Sequence, residues 1–449
     1  MPEGGTDATM EGILEPSMSL PGDLQPILDT LLDGGVKGFP GDRPATRLGD
    51  VGGLGLRVTA GDVEFPAAVL KRSALEHNAG WMREFVRRSG AILCPHGKTT
   101  MAPQLFHRQL ADGAWGITLA TLQQVRLAYR YGVRRILLAN QLLAPGGIAW
   151  VQEALDADPG LDFTCLVDGP EGVARLEACA RGRRPIPVLV ELGLPGGRTG
   201  ARTVASALDL ARAVRTSPRL SLRGVECFEG ILVTQDPLDD RARVQSWLER
   251  LGALALACDQ EGLFETGEVL LSAGGSAYFD LVVRVLGQVR LGRPAQVVLR
   301  SGCYFSHDAG YYERLLGLLE GRLPEDLRPP RHLAAALEVW GQVLSRPEPG
   351  LAFLGLGKRD VSYDVGLPVP VAWARPGAPG ASRPAPAAWR ITTLHDQHAR
   401  LELPPDTDLQ VGDLVGCGIS HPCTTFDKWQ LLFEVDDDYR VLGAVRTFF

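Results

Sequence analysis

Between residues 90 and 305 short apolar runs alternate with longer amphipathic stretches, and this alternation leaves the chain few folds. The apolar runs lie at 91–94, 115–118, 136–139, 163–167, 188–190, 224–228, 269–271 and 297–299. Between them, helical periodicity marks 122–131, 170–180, 204–214, 241–257 and 277–286. Strands and helices in regular succession predict parallel strands joined by crossover helices. Eight such units in about 215 residues match an eight-stranded α/β barrel; a doubly wound sheet is the rival topology.

Beyond residue 310 the pattern turns into strand-like runs separated by turns, at 335–344, 351–356, 369–373, 389–394, 413–419 and 431–435. A Pro-, Ala- and Gly-rich stretch over 374–388 is expected to be an exposed loop. At 449 residues the chain exceeds one ordinary core. The expected organisation is an N-terminal tail and lead-in segment over 1–60, with a mobile tail to about residue 20. The α/β barrel follows over 61–310, and a C-terminal β domain over 311–449. A short helix is expected over 23–32, and the run 65–70 reads as a first strand.

Charge and composition narrow the function. The net charge of −7 and a pI near 5.7 disfavour nucleic-acid and anionic-membrane partners, which call for a basic face. No apolar run approaches the roughly 20 residues of a membrane span, and the N-terminus lacks a basic-then-apolar signal pattern, so a cytoplasmic protein is expected. The eight cysteines are scattered and contain no CxxC pair. A small-molecule substrate fits best.

In a barrel of this kind the reacting groups gather at the C-terminal ends of the strands, and phosphate is commonly held after the seventh and eighth. The first strand runs into Cys94-Pro95-His96-Gly97-Lys98-Thr99, which sets one lysine at the barrel mouth. The chain has only five lysines against 41 arginines, and only a lysine amine can lose its proton and bond covalently with an aldehyde. A solvated strand-end cation is the alternative. After strand seven comes Ala273-Gly274-Gly275-Ser276, whose backbone N–H groups can close on an anion while Ser276 caps the next helix. After strand eight comes Arg300-Ser301-Gly302-Cys303-Tyr304, a second tight turn with donors. Each of these two is, by itself, also an ordinary turn. Lysine and phosphate cup across one barrel mouth are what pyridoxal 5'-phosphate (PLP) requires. Arg198, on a Gly-rich loop after strand five, either reaches the cofactor phenolate or is a plain loop arginine.

The last cluster is Ser420-His421-Pro422-Cys423-Thr424-Thr425-Phe426-Asp427. In extended backbone His421 and Cys423 project to one side, and imidazole with thiolate suits Zn2+. Two ligands make an incomplete site; a buried cysteine beside a capping histidine is the other reading. His96 is placed to face the Lys98 cavity, His398 is a candidate third polar group near the metal, and Arg300 is a candidate for the pyridine nitrogen.

Together these segments resemble the D-serine dehydratase and D-threonine aldolase family of fold-type III PLP enzymes, related in architecture to alanine racemase. The likeness covers residues from about 60 to 449. Pro95-His96-Gly97-Lys98-Thr99 looks like the family's cofactor-lysine motif, and Arg198-Thr199-Gly200 like its Arg-x-Gly motif. Ala273-Gly274-Gly275-Ser276 and Gly302-Cys303-Tyr304 match its phosphate-holding turns, and Ser420 to Asp427 the dehydratase form of its metal motif.

The resemblance implies a PLP-binding TIM barrel with a C-terminal β domain. It implies Lys98 as catalytic and cofactor-bearing residue, with Arg198, Gly274, Gly275, Ser276, Gly302 and Tyr304 around the cofactor. It also implies zinc on His421 and Cys423, and a homodimer. The aldolase branch carries a carboxylate where Cys423 stands, so a thiolate points to elimination. The expected activity is dehydration and deamination of a D-3-hydroxy amino acid, such as D-serine or D-threonine, to a 2-oxo acid and ammonia. Retro-aldol cleavage, racemisation and a non-catalytic PLP-binding role are the competitors. Cys227-Phe228-Glu229-Gly230 lacks the Tyr and Gly-His pattern of many relatives, and Ser301 stands where they carry proline.

Overall fold

The computed structural model describes residues 24–234, 237–377 and 382–449. The expected tail to about residue 20 and the centre of the 374–388 loop fall outside these residues. Eight parallel strands form the first unit: β1 (Ile92–Leu93), β2 (Ile117–Leu119), β3 (Arg135–Gln141), β4 (Asp162–Val167), β5 (Ile186–Glu191), β6 (Leu220–Glu226), β7 (Val269–Ala273) and β8 (Ala295–Leu299). They pair in chain order, and β8 pairs with β1. Trp115 N–H donates to Leu93 O at 2.7 Å and Thr118 N–H to Pro95 O at 2.9 Å, so β1 also meets β2 and the barrel closes. All eight apolar runs of the sequence are therefore barrel strands.

The barrel is a packed core. Cys94, Leu137, Leu166, Leu189, Leu270 and Val298 form a buried cluster of their own, drawn from the first, third, fourth, fifth, seventh and eighth strand segments. A larger cluster joins the outer strand faces to the surrounding helices. This is how a barrel of bulky aliphatic strands excludes water from its axis and leaves only its mouth open.

Each strand is followed by a helix. Those after β1, β3 and β8, at Pro103–Ala111, Pro145–Ala157 and Tyr311–Glu320, were not legible as periodic runs. The last of them lies past residue 310, the expected end of the barrel, because Leu316 and Leu319 pack inward as the eighth crossover helix. The expected lead-in helix over 23–32 shrinks to one turn, Gln25–Leu28, ahead of a two-residue strand at Leu31–Leu32.

The second unit is a largely antiparallel sheet. Its path runs through strands Val369–Ala374, Leu414–Gly418, Leu337–Glu348, Leu351–Leu354, Ala399–Glu402 and Arg390–Leu394. The strand Ala67–Lys71 belongs here, not to the 61–310 unit. It pairs antiparallel with Leu337–Trp340 and parallel with Phe433–Val435. Its four consecutive buried residues are explained by that central place between two partners. Helix Arg72–Ser89 then carries the chain to the barrel. Its fully buried Asn78 donates from Nδ2 to Phe305 O at 2.9 Å and Ala334 O at 2.8 Å, and its Oδ1 accepts from Ala334 N–H at 2.8 Å.

Candidate active site at the barrel mouth

Sequence segments distant along the chain converge on one cavity of about 540 Å³ at the C-terminal ends of the strands. Its lining includes Lys98, Arg198, Gly274, Gly275, Ser276, Gly302, His421 and Cys423. Of the residues singled out in the sequence for cofactor or metal, Tyr304 and His398 are missing. Tyr304 is buried behind the cavity wall, where its hydroxyl accepts a 3.3 Å hydrogen bond from Gln109 Nε2. Its ring lies tilted against Phe305, and its side chain is not part of the cavity lining.

Lys98 sits on a single 3-10 turn, Gly97–Thr99, directly after β1. The turn is tight: a Cβ on Gly97 would lie 2.8 Å from both Ile117 and Phe106, so only glycine lets the chain bend there and aim Lys98 into the opening. Among the described residues the Lys98 amine has no hydrogen-bond or ion-pair partner. His96 lines the same cavity. Burial, then the charges of Lys98 and Arg300, hold its imidazole well below the usual histidine range. It is thus a neutral ring, and its buried Nδ1 has no partner.

The two glycine turns behave differently from expectation. Gly274 and Gly275 do close on an anion, but it is the chain's own Glu229. Its buried carboxylate accepts from Gly274 N–H at 3.0 Å and from Gly275 N–H at 2.6 Å. Those two donors are therefore taken. The backbone N–H groups of Ser276, Gly302 and Cys303, and the Ser276 hydroxyl, remain without an acceptor among the described residues and are the donors left for a phosphate. Ser276 caps no helix, because the next helix starts later, at Phe279 with Tyr278 as its N-cap. Gly302 has no room for a side chain: its Cβ would stand 2.5 Å from His96 O.

Arg198 is exposed at the rim with its guanidinium 4.8 Å from the centre of the Phe228 ring. Arg300 also lines the cavity, but it is engaged. It pairs with Glu226, Nη1 to Oε2 2.5 Å, and donates from Nη2 to Cys227 O at 2.7 Å. Burial, opposed by Arg300 and reinforced by Glu191, pushes the Glu226 carboxyl up to about 7.

The metal motif reaches the barrel mouth from the second unit. Cys423 opens a one-turn helix, Cys423–Phe426, with Pro422 as its N-cap, so the segment is not extended as expected; His421 and Cys423 both line the cavity. His421 Nδ1 is 2.6 Å from Asp364 Oδ2, which leaves Nε2 for another partner. Burial acts to lower the His421 pKa, but Cys423 and Asp364 outweigh it and raise it to about 9. The neighbouring Cys303 thiol, then His421 and Thr99, hold Cys423 well below the ordinary thiol range against the effect of burial. Imidazole, thiolate and the buttressing carboxylate are a donor set that suits Zn2+. Among the described residues no three His, Cys, Asp or Glu groups form a ready-made metal cage. His398 lies on an exposed hairpin turn and takes no part in the cavity.

Several lining residues were not flagged in the sequence as site residues: Thr99, Asn140, Glu226, Phe228, Cys303 and Tyr312. Tyr312 comes from the helix after β8 and faces Cys303, Cys423 and His421. The Cys303 sulfur, then burial, raise its pKa far above the ordinary phenol value, so it keeps its proton. Its helix, Tyr311–Glu320, has no periodic run legible in the sequence.

Comparison with known proteins agrees with this geometry. Residues 336–435 match the family model described as a putative serine dehydratase domain. The chain is 24% identical over 377 residues to a D-threonine aldolase from Arthrobacter sp, covering 84% of this chain and 90% of that one. It is 27% identical over 270 residues to a D-threo-3-hydroxyaspartate dehydratase from Delftia sp. (strain HT23), covering 56% and 70%. Among solved structures, the D-threonine aldolase from Filomicrobium marinum superposes with a TM-score of 0.72 at 23% identity, over 88% of this chain and 97% of that one. Alanine racemase from Clostridium difficile 630 superposes with a TM-score of 0.56 at 11% identity, over 86% and 99%. The chain is thus similar to D-threonine aldolases and D-threo-3-hydroxyaspartate dehydratases, and it shares the alanine racemase-like fold.

Proposed function

We propose that this protein is a PLP- and zinc-dependent dehydratase that converts a D-3-hydroxy amino acid, such as D-serine or D-threonine, to a 2-oxo acid and ammonia. One observation carries the reading: the unpartnered amine of Lys98 opens into the same cavity as the His421 and Cys423 pair. The residues fit the cofactor. Lys98 would bear it, Ser276, Gly302 and Cys303 would supply N–H donors to its phosphate, and the neutral His96 and Arg198 would border its ring. When bound, PLP withdraws electrons from the substrate α-carbon.

The remaining work falls to the chain's own groups. The Lys98 amine, which opens into the cavity, would take the α-proton. Tyr312 keeps a proton beside Cys423 and His421 and would donate it to a departing β-hydroxyl. His421 and Cys423 would hold a divalent metal, which supplies Lewis acidity for a poor leaving group. A variant of the Delftia relative has been solved in what is named its metal-free form, in line with a metal in that protein. The thiolate at 423 favours elimination over the aldolase reaction that other relatives are named for.

The apolar side chains of Tyr363, Val365, Leu367 and Val369, exposed beside Asp364, support a homodimer. No helix among the described residues is long and apolar enough to cross a membrane. The eight unbonded cysteines fit a reducing cytoplasm.

The test is borohydride reduction of purified protein followed by peptide mass analysis, with 2-oxo acid formation assayed on D- and L-serine, threonine and 3-hydroxyaspartate. A reduced pyridoxyl group on the Lys98 peptide and oxo acid from a D-substrate are expected, and Lys98→Ala should lower turnover at least about a thousandfold. Absence of the adduct overturns the cofactor reading. Glycine and an aldehyde in place of an oxo acid would make the protein an aldolase.

A further inference from the structure

Cys303 is a buried thiol that the dehydration chemistry above leaves without a chemical role. It follows Gly302 at the end of β8, and its sulfur lies 3.7 Å from that of Cys423, which comes from the other unit 120 residues later. The two are not bonded. Thr99 Oγ1 stands 3.3 Å from the Cys423 sulfur and 4.0 Å from that of Cys303, so one hydroxyl braces both. All three side chains line the cavity. A tetrahedral zinc with Zn–S bonds of about 2.3 Å sets its two sulfur ligands about 3.8 Å apart. The two thiols therefore already stand at the spacing of one edge of such a site.

His421 completes the set. It lines the same cavity two residues before Cys423, and its Nδ1 is committed to Asp364, so Nε2 is the atom left to ligate. Cys423 is the common neighbour of His421 and Cys303. Two protein ligands make a weak site, whereas catalytic zinc is ordinarily held by three with the fourth position open to water or substrate.

We propose that Cys303 is a third protein ligand, giving a His421, Cys423 and Cys303 site with one position open. This rests on the metal reading above and deepens it. It makes the site softer than a single thiolate would, selecting Zn2+ over Mn2+ or Mg2+.

The test uses the full chain with its cofactor bound and its metal removed by chelation. Co2+ alone and 113Cd2+ alone are then added to wild type, Cys303→Ser and Cys423→Ser. In wild type the thiolate-to-cobalt charge-transfer band should be about twice as intense as in Cys303→Ser, and zinc affinity, measured by chelator competition, should fall at least about tenfold in that variant. The cadmium resonance of wild type reports two sulfur ligands without any substitution, which guards against a variant that fails to fold. An unchanged band and affinity in Cys303→Ser, with both lost in Cys423→Ser, would overturn the third ligand and leave the His421 and Cys423 reading standing. No stoichiometric metal on wild type would overturn both.

Discussion

Arg300 and Glu226 form a buried ion pair on the cavity wall, Nη1 to Oε2 2.5 Å, joining the end of β8 to the end of β6. Burial weighs more on the carboxyl than the pairing relieves, so Glu226 titrates near 7 in place of 4.5. For a carboxyl whose folded pKa is raised, the folded state holds the proton longer than the unfolded chain. The Glu226 contribution to stability is then greatest below about pH 4.5, declines as pH rises toward 7, and is level above it. Urea unfolding between pH 5 and 8 should show this slope in wild type, and Glu226→Gln should flatten it. A slope retained by the variant would assign the titration to another group.

Glu229 occupies the N–H groups of Gly274 and Gly275 that would otherwise be an anion seat. Glu229→Ala should strand both donors, lowering stability by about 2–5 kcal/mol and loosening the β7 turn, with faster loss of cofactor colour on dilution. Glu229→Gln, which keeps one carbonyl acceptor, should lose less. If the Ala variant instead bound cofactor more tightly, the freed amides would be serving phosphate directly.

Asp364 fixes the tautomer and orientation of His421. Asp364→Ala should weaken zinc binding by about 10–100-fold with little change in the cofactor spectrum, as chelator competition would show. Equal affinity would remove His421 from the metal set.

Asn78 ties the first long helix to the backbone at Phe305 and Ala334 with three hydrogen bonds. Its loss in Asn78→Ala leaves buried backbone groups unpaired and should cost about 2–4 kcal/mol in urea unfolding. A change below about 0.5 kcal/mol would mean that water replaces the side chain.

The barrel was legible because its strands are buried on both faces and read as unbroken apolar runs, visible at all eight positions. Six C-terminal strands were legible from their turns, whereas Ala399–Glu402 and Val441–Arg446 were not. Helix Arg72–Ser89 was not, although Leu75, Met82 and Phe85 follow the helical period, because Asn78 and Gly80 interrupt the buried stripe. The strand Ala67–Lys71 was visible as a strand, but its sheet was not, since pairing partners more than 260 residues away leave no local trace.

The chain's own order of residues determined where reactive groups would stand along the barrel rim. Strand ends are local features, and Lys98, Arg198, Ser276, Gly302, His421 and Cys423 all belong to turns recognisable by their glycines and prolines. Only the tertiary structure decided what those groups meet. Glu229 on the Gly274 and Gly275 amides, Asp364 behind His421, Tyr312 facing His421 and Cys303 against Cys423 join segments 45 to 120 residues apart. Contacts of this kind follow from how two packed units bring their loops together, and no periodicity or spacing encodes them.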